Sequence, residues 1–158
     1  MASKKSASKQ SSNQKSNSKT LTIPLIPSAF RNDIKKLKEQ YASAESDIIQ
    51  AIQNFLPVQT GSRYLIHFSN AESSSSNRDF LEMSARAGFA TFKEYVGNSC
   101  MNRGKGEGFR LIMLHCPQLG LKFPLHAYDK LAKADISPDD ILPALREATA
   151  WIKENQKR

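Results

Sequence analysis

Basic side chains surround a glycine-rich loop near the middle of the chain, at residues 97–108. Lys93 precedes this loop, Arg103 and Lys105 lie within it, and Arg110 follows it. Clustered Lys and Arg side chains neutralise phosphate oxygens, and their mutual repulsion favours the neutral form of a lysine, which then acts as a base. If the flanking segments pair as antiparallel strands, these cations converge on one phosphate. This spacing is compatible with phosphodiester chemistry based on electrostatic stabilisation and proton transfer, although a glycine loop with Lys and Arg is more often only a solvated turn.

Aromatic residues and a histidine accompany the cations. Tyr95 and Phe109 flank the loop and are candidates for stacking on an unpaired base, a contact of about 1–3 kcal/mol. His126 and Tyr128 lie in the polar register of a later strand, and a histidine changes its charge near neutral pH, which makes His126 a further candidate for proton transfer. Together with Lys133, these residues form the predicted RNA-binding set.

Composition limits the classes of protein that fit. A chain of 158 residues suits one domain, because two would each be undersized. The net charge is +8, but residues 1–20 carry five lysines and no acid, and the remainder has 18 basic and 15 acidic residues, only +3. Cys100 and Cys116 form no CxxC pair or Cys/His cluster, so we expect free thiols and neither a metal nor another cofactor. No apolar run is long enough for a membrane span or a secretory signal, which predicts a cytoplasmic protein.

The chain divides into a polar tail and one domain. Residues 1–20 are mostly Ser, Lys, Gln and Asn, which cannot offset the entropy cost of folding, so we predict a disordered tail. Residues 21–158 are predicted to form a single domain with an insertion at about residues 63–88.

Apolar spacing predicts the elements of this domain. Alternation over residues 21–26 indicates a strand. Ser28 is a plausible N-cap for a helix with an apolar stripe over residues 30–41, and a second helix runs over about residues 43–55. The remaining predicted elements are strands at residues 63–68, 91–96, 109–114 and 121–128, a short helix near residues 80–89, and a final helix after a cap at Ser137. This order predicts an α+β fold in which an N-terminal helix hairpin and a C-terminal helix pack, mainly on one face, against a small, mainly antiparallel sheet.

Three stretches, in this order, resemble the RelE/HigB toxins of bacterial type II toxin–antitoxin systems, within the RelE/ParE superfamily. Residues 30–41 and 46–48 resemble the helix hairpin that opens these toxins. Residues 98–110, Asn-Ser-Cys-Met-Asn-Arg-Gly-Lys-Gly-Glu-Gly-Phe-Arg, resemble the loop that leads into the central strand in the HigB branch. Residues 128–137 resemble the family's passage from a Tyr and a Lys to an Ile-Ser before the last helix.

The resemblance implies a RelE-like fold, a cognate antitoxin protein as partner, and cleavage of messenger RNA at the ribosome. In such cleavage the ribose 2′-OH attacks the adjacent phosphorus without a metal or other cofactor, while the site stabilises the extra negative charge and transfers protons. Transferred by motif, the catalytic candidates are Lys93, Arg103, Lys105, Arg110 and Lys130.

Two positions depart from the family pattern. Ser137 stands where compact RelE members have a tyrosine, and Leu131 lies near an expected arginine. These departures favour the HigB branch and leave open whether the activity is retained. The insertion at about residues 63–88 is longer than the usual link and is a candidate lid or a block to ribosome docking.

Two other functions fit the same fold. A ParE-like protein would inhibit DNA gyrase by binding it, although ParE relatives generally lack the cationic glycine loop seen at Arg103-Gly104-Lys105. A catalytically silent member would bind RNA or protein only, and Leu131 and Ser137 are the features that support it.

Overall fold

The structure is a computed structural model that describes residues 21–56, 63–65, 89–133 and 136–155. Its helices are α1 (Ser28–Gln40), α2 (Ala44–Asn54) and α3 (Pro138–Asn155), and its strands are β1 (Arg63–Leu65), β2 (Ala90–Val96), β3 (Phe109–Cys116) and β4 (Leu121–Asp129). The predicted α+β class, with a helix hairpin followed by antiparallel strands and a closing helix, is confirmed at this level. The predicted tail and most of the predicted insertion, including its short helix, lie outside the described residues.

The described strands form one antiparallel sheet in the order β1-β2-β3-β4. Thus the two strands that flank the glycine-rich loop pair with each other, as expected. In this register Tyr95 lies opposite Arg110, and Arg110 lies opposite Tyr128 on the next strand. The register between β3 and β4 shifts once, at Ile112/Met113.

Helices cover both faces of the sheet, so the prediction that they lie mainly on one face was wrong. The apolar face of the α1–α2 hairpin packs on Phe109, Leu111 and Met113 of β3. The alternate residues Ile112 and Leu114 face α3 instead. Because successive strand residues point to opposite faces, the uninterrupted apolar run of β3 supplies both cores.

The starts of the helices differ in how they are held. Ser28 is the first residue of α1 and not its cap, because Pro27 occupies the cap position. The Ser28 hydroxyl and backbone N–H instead donate to Glu147 of α3, at 3.0 and 2.9 Å. Helix α3 begins at Pro138 as predicted, and the Asp140 carboxylate accepts a hydrogen bond from the Ser137 N–H at 2.9 Å. None of the helices in the described ranges is long and apolar enough to cross a bilayer.

The predicted strand at residues 21–26 is reduced to a single bridge. Thr22 pairs with Leu121, with hydrogen bonds from Thr22 N to Gly120 O and from Lys122 N to Thr22 O. Pro24 follows two residues later and has no N–H to donate, so the ladder cannot continue.

Lys122 is a buried cation that joins the sheet to the hairpin. Its side chain is only 3 % exposed, and its ammonium donates to the backbone carbonyls of Ile52, Gln53 and Phe55 at 2.7, 3.1 and 3.4 Å. These carbonyls close the C-terminal end of α2, where the helix dipole favours a positive charge. Burial lowers the pKa of Lys122 below its ordinary value.

Replacing Lys122 with methionine should destabilise the protein, because several helix-end carbonyls lose their buried donor. We expect the free energy of unfolding in urea to fall by about 1–3 kcal/mol. Lys153→Met on the exposed side of α3 is the control and should change it by less than about 0.5 kcal/mol. An equal decrease in the free energy of unfolding in the two variants would contradict a capping role for Lys122.

Candidate functional site

The loop between β2 and β3 is fixed to the start of α2. The Asp47 carboxylate accepts hydrogen bonds from the backbone N–H and the hydroxyl of Ser99, both at 2.9 Å. Ser43, the N-cap of α2, donates its hydroxyl to Asp47 at 2.8 Å and accepts from the Cys100 N–H at 2.9 Å. These contacts attach the loop to a helix about fifty residues earlier in the chain.

Within the loop, a short ring of backbone hydrogen bonds sets the path of the chain. The backbone N–H of Asn98 donates to Arg103 O, and the N–H of Arg103 donates back to Asn98 O, at 3.0 and 2.9 Å. Asn102 takes the left-handed conformation with φ 56°. Gly108 lies where the returning chain passes closest to β2, since a Cβ there would lie 2.2 Å from the carbonyl oxygen of Val96.

The buried side chain of Arg110 holds the loop in place. Its side chain is 4 % exposed, and its guanidinium donates to the backbone carbonyls of Lys105 and Gly106, each at 2.9 Å. The guanidinium carbon lies 4.0 Å from the centroid of the Tyr95 ring, a cation–π contact across the β2–β3 pair. We predicted that Arg110 would bind the phosphate. Its guanidinium instead donates these hydrogen bonds to the loop backbone and so holds the loop in position.

Tyr95 and Tyr128 lie on either side of Arg110, and all three side chains share one face of the sheet. Lys93 lies on the same face one row along, where it is opposite Ile112. We call Lys93, Tyr95, Arg110 and Tyr128 the loop-end face. It is on the side of the sheet away from the helix hairpin, since β3 residues of the other register pack on the hairpin.

Arg103 is separated from this group. Its guanidinium lies 5.9 Å from the ring of Tyr41, at the end of α1, and Tyr41 packs on Phe109. Tyr41 also donates its hydroxyl to Asp129 at 2.6 Å, a bond that raises the pKa of the tyrosine. Since Phe109 and Arg110 point to opposite faces, the expected convergence of Arg103 with Arg110 on one phosphate is not seen.

Phe109 is completely buried in the core that the hairpin covers. A buried ring has no free face for a base, so we withdraw Phe109 from the predicted RNA-binding set. Lys105, in contrast, is exposed on the loop. Lys130 is half-buried, and its backbone N–H donates to Gly108 O at 3.0 Å, which places it beside the end of the loop.

His126 and Lys133 are both engaged by carboxylates. His126 Nδ1 lies 2.8 Å from the Asp33 carboxylate of α1, and the imidazole ring stacks on Tyr128 with centroids 5.5 Å apart. Lys133 forms an ion pair of 2.7 Å with Asp140 and lies 5.6 Å from the ring of Tyr128. These two members of the predicted set therefore surround Tyr128, which is only 5 % exposed and packs in the core on the α3 side. Because its ring has no free face for a base, we withdraw Tyr128 from the predicted RNA-binding set as well.

Three further residues, Tyr41, Asp47 and Asp129, help to hold the loop and its surroundings, and the sequence prediction missed them. Asp47 looks like an ordinary acid in the first turn of a helix, and Tyr41 looks like the end of an apolar stripe. Their roles depend on the loop, which reaches them only through the tertiary fold. Nothing in their local spacing distinguishes them.

The two cysteines differ sharply in their surroundings. Cys100 is exposed at the start of α2, and hydrogen bonds from the side chain and backbone of Ser43 lower the pKa of its thiol. Cys116 is buried in the sheet, and burial raises the pKa of its thiol to about 12. Within the described ranges, no group of His, Cys, Asp and Glu side chains could hold a metal ion.

The chain was compared with models of protein families, with curated proteins and with solved structures, and none of these comparisons found a match.

Gly108→Ala should destabilise the protein, because the new methyl group would displace the backbone of β2. We expect the free energy of unfolding to fall by about 1–3 kcal/mol or more. Gly106→Ala, two residues earlier, is the matched control, since a Cβ there meets no atom within 4 Å. If Gly106→Ala lowered the free energy of unfolding as much as Gly108→Ala, the close approach of Gly108 to Val96 would not be the cause of the instability.

Cys100 should react with iodoacetamide in the folded protein while Cys116 stays unmodified. The pH at which the reaction is half-maximal should lie below that of an ordinary thiol, because the Ser43 hydrogen bonds favour the thiolate. Ser43→Ala should move that midpoint to higher pH and slow the reaction at pH 7, as followed by mass spectrometry. An unchanged midpoint would exclude Ser43 as the cause.

Proposed function

We propose that the chain is a RelE-like toxin of the HigB/RelE branch, an endoribonuclease that cleaves messenger RNA at the ribosome. The observation that carries this proposal is the loop-end face, where Lys93, Tyr95 and Arg110 share one side of two antiparallel strands joined by a cationic loop. The proposal includes a cytoplasmic site of action and a cognate antitoxin protein that restrains the toxin.

The loop-end face offers the contacts that a single-stranded RNA needs. Tyr95, which is only half-buried, is the aromatic platform for an unpaired base, and the Lys93 ammonium is a phosphate-binding group. Arg110 acts as a positioning residue, because its hydrogen bonds hold the loop carbonyls and the Tyr95 ring. Its buried positive charge also adds to the positive potential of this face.

Cleavage proceeds by attack of the ribose 2′-oxygen on phosphorus, with loss of the 5′-oxygen and formation of a 2′,3′-cyclic phosphate. One group must accept the 2′-OH proton and another must protonate the leaving oxygen. Lys93 on β2 and Lys130 just after β4 flank the row of Tyr95, Arg110 and Tyr128, so we assign these two lysines to proton transfer and charge neutralisation.

One observation favours a second function, RNA binding without cleavage. The Arg110 guanidinium is buried, and the hydrogen bonds described above direct it to the loop backbone, away from an incoming phosphate. A site that lacks this arginine contact would bind RNA through Lys93 and Tyr95 but would stabilise the transition state less.

Induced expression in bacteria, with primer extension to map the 5′ ends of messenger RNA, tests the proposal. The wild-type protein should generate new 5′ ends in translated regions, and Lys93→Ala should reduce them by about 10²-fold. Lys36→Ala, on the exposed side of α1, is the control and should cleave like the wild type.

The remaining outcomes separate the candidates. Wild-type protein that sediments with ribosomes but generates no new 5′ ends would support binding without cleavage. Growth arrest with intact messenger RNA and damaged DNA would contradict both and indicate gyrase inhibition.

A further inference from the structure

The Cys100 thiol lies at the surface, where the loop is fixed to the start of α2. The Cys100 backbone N–H donates to the Ser43 hydroxyl at 2.9 Å, which holds the residue at the N-cap of the helix. The N-terminal end of a helix favours a negative charge, and the thiolate is the form of cysteine that reacts with electrophiles and oxidants. Hydrogen bonds from Ser43 and from the backbone of Ala42 lower the pKa of this thiol. The position therefore favours a reactive sulfur.

A buried amide next to the thiol has a donor that is not used. Asn98 is 0 % exposed, and its Oδ1 lies 3.4 Å from Cys100 Sγ. Its Nδ2 is buried as well and has no hydrogen-bond partner among the described residues. Leaving a buried donor without an acceptor costs about 1–3 kcal/mol. This cost is recovered when negative charge develops at the sulfur, so the amide suits the ionised or oxidised sulfur better than the neutral thiol.

The neutral and ionised forms of the sulfur require opposite ends of this amide. The thiol donates its S–H to Asn98 Oδ1, whereas a thiolate only accepts hydrogen bonds. The terminal torsion of asparagine is broad and roughly two-fold, so half a turn exchanges Oδ1 with Nδ2 and brings the N–H₂ group to the sulfur. The turn breaks no hydrogen bond of Nδ2. Oδ1 loses only the thiol and a long contact of 3.5 Å from the Ser43 hydroxyl, which donates to Asp47 at 2.8 Å.

Asp47 is the acidic neighbour of the thiol, and its negative charge opposes ionisation of the sulfur. Its carboxylate accepts hydrogen bonds from the Ser43 hydroxyl and from the backbone and side chain of Ser99, at 2.8, 2.9 and 2.9 Å. These donors reduce the repulsion, because they stabilise the charge on the carboxylate oxygens. The donors around the sulfur therefore outweigh the one acid beside it.

We propose that Cys100 is a modification site, oxidised by hydrogen peroxide and then captured by a low-molecular-weight thiol, with Asn98 as the positioning residue. The sulfur attacks one peroxide oxygen, an S–O bond forms and the O–O bond breaks. The sulfur gives up two electrons, and the leaving hydroxide takes the thiol proton and becomes water. The small thiol then attacks the sulfenic sulfur, an S–S bond forms, and the hydroxyl group leaves as water with the proton of that thiol. The site does not depend on the proposed nuclease function.

The second thiol must come from outside the chain. Cys116 is the other cysteine of the sequence, and it is buried in the core on the α3 side. It lies at the far end of β3, which begins beside the loop at Phe109, and seven steps of about 3.3 Å make that distance about 23 Å. A disulfide needs Cα atoms within about 7 Å, so Cys116 cannot reach the loop. A small thiol reaches the exposed Cys100 without any change in the fold.

Peroxide treatment of the purified full chain, followed by peptide mass spectrometry, tests the inference. With dimedone as the trap for sulfenic acid, Cys100 should be labelled and Cys116 should not. At pH 7 the reaction should be about fivefold or more faster than that of free glutathione, because an ordinary thiol is only a few per cent thiolate at that pH. With glutathione in place of dimedone, Cys100 should carry one glutathione. Labelling at Cys116, a rate no faster than that of glutathione, or a Cys100-linked dimer as the main product would overturn the proposal.

Asn98→Leu tests the positioning role, because leucine has a similar shape and no donor. The variant should react with peroxide about threefold or more slowly, and the midpoint of its pH–rate profile should move to higher pH. Asn32→Leu on the exposed side of α1 is the matched control and should behave like the wild type. A rate and midpoint unchanged in Asn98→Leu would overturn the role of the amide.

A measurement on the unaltered chain covers the case in which Asn98→Leu does not fold. The side-chain amide signals of Asn98 in NMR spectra should shift with the same pH midpoint as the alkylation of Cys100, because the amide turns towards the thiolate. In Cys100→Ser, where no thiol ionises, this shift should be absent. Amide signals that stay constant through the wild-type titration, or that shift equally in Cys100→Ser, would contradict the assignment of Asn98.

Discussion

The structure of the loop end of the sheet depends on one buried guanidinium. Removing the Arg110 charge from water is costly unless its donors are satisfied, and two short bonds to loop carbonyls and the Tyr95 ring provide that compensation. Since both carbonyls belong to the loop, the loop and β3 are held as one unit. On the other side, Asp47 and Ser43 attach the same loop to α2.

This arrangement separates the cations of the chain into two environments. Lys93 and Arg110 share the loop-end face, where aromatic rings flank the charges. Arg103 lies on the hairpin side with Tyr41, where acids and amides line a cavity. Lys105 connects the two, because its carbonyl oxygen binds Arg110 while the residue lines the cavity. The expected single phosphate site is thus divided into the loop-end face and a neighbouring cavity with a mixed polar and apolar lining.

Local periodicity was sufficient to predict most of the described elements, because strand and helix repeats are properties of neighbouring residues. Local periodicity could not predict how the helices are arranged on the sheet, because the apolar run of β3 does not reveal which helix covers which face. Lys122 occupies the polar register of a predicted strand, yet helix-end carbonyls bury it. Such partners depend on tertiary contacts and leave no local pattern.

The candidate site was predictable in part. The antiparallel pairing of β2 and β3 and the shared face of Lys93 and Tyr95 followed from alternation across the loop. The burial of the Arg110 guanidinium could not be predicted from alternation, because its acceptors are backbone atoms of a loop that needs a left-handed Asn102. Phe109 shows the same limit, since an aromatic beside a loop fits both a core and a base platform until its burial is known.

The central claim is that RNA contacts the loop-end face, and cryo-electron microscopy of the chain on a ribosome with uncleavable, 2′-O-methylated messenger RNA tests it most directly. The account predicts a base stacked on Tyr95 and a phosphate within hydrogen-bonding distance of the Lys93 ammonium. A complex in which the helix hairpin faces the messenger RNA, with the loop-end face turned away from it, would contradict the account.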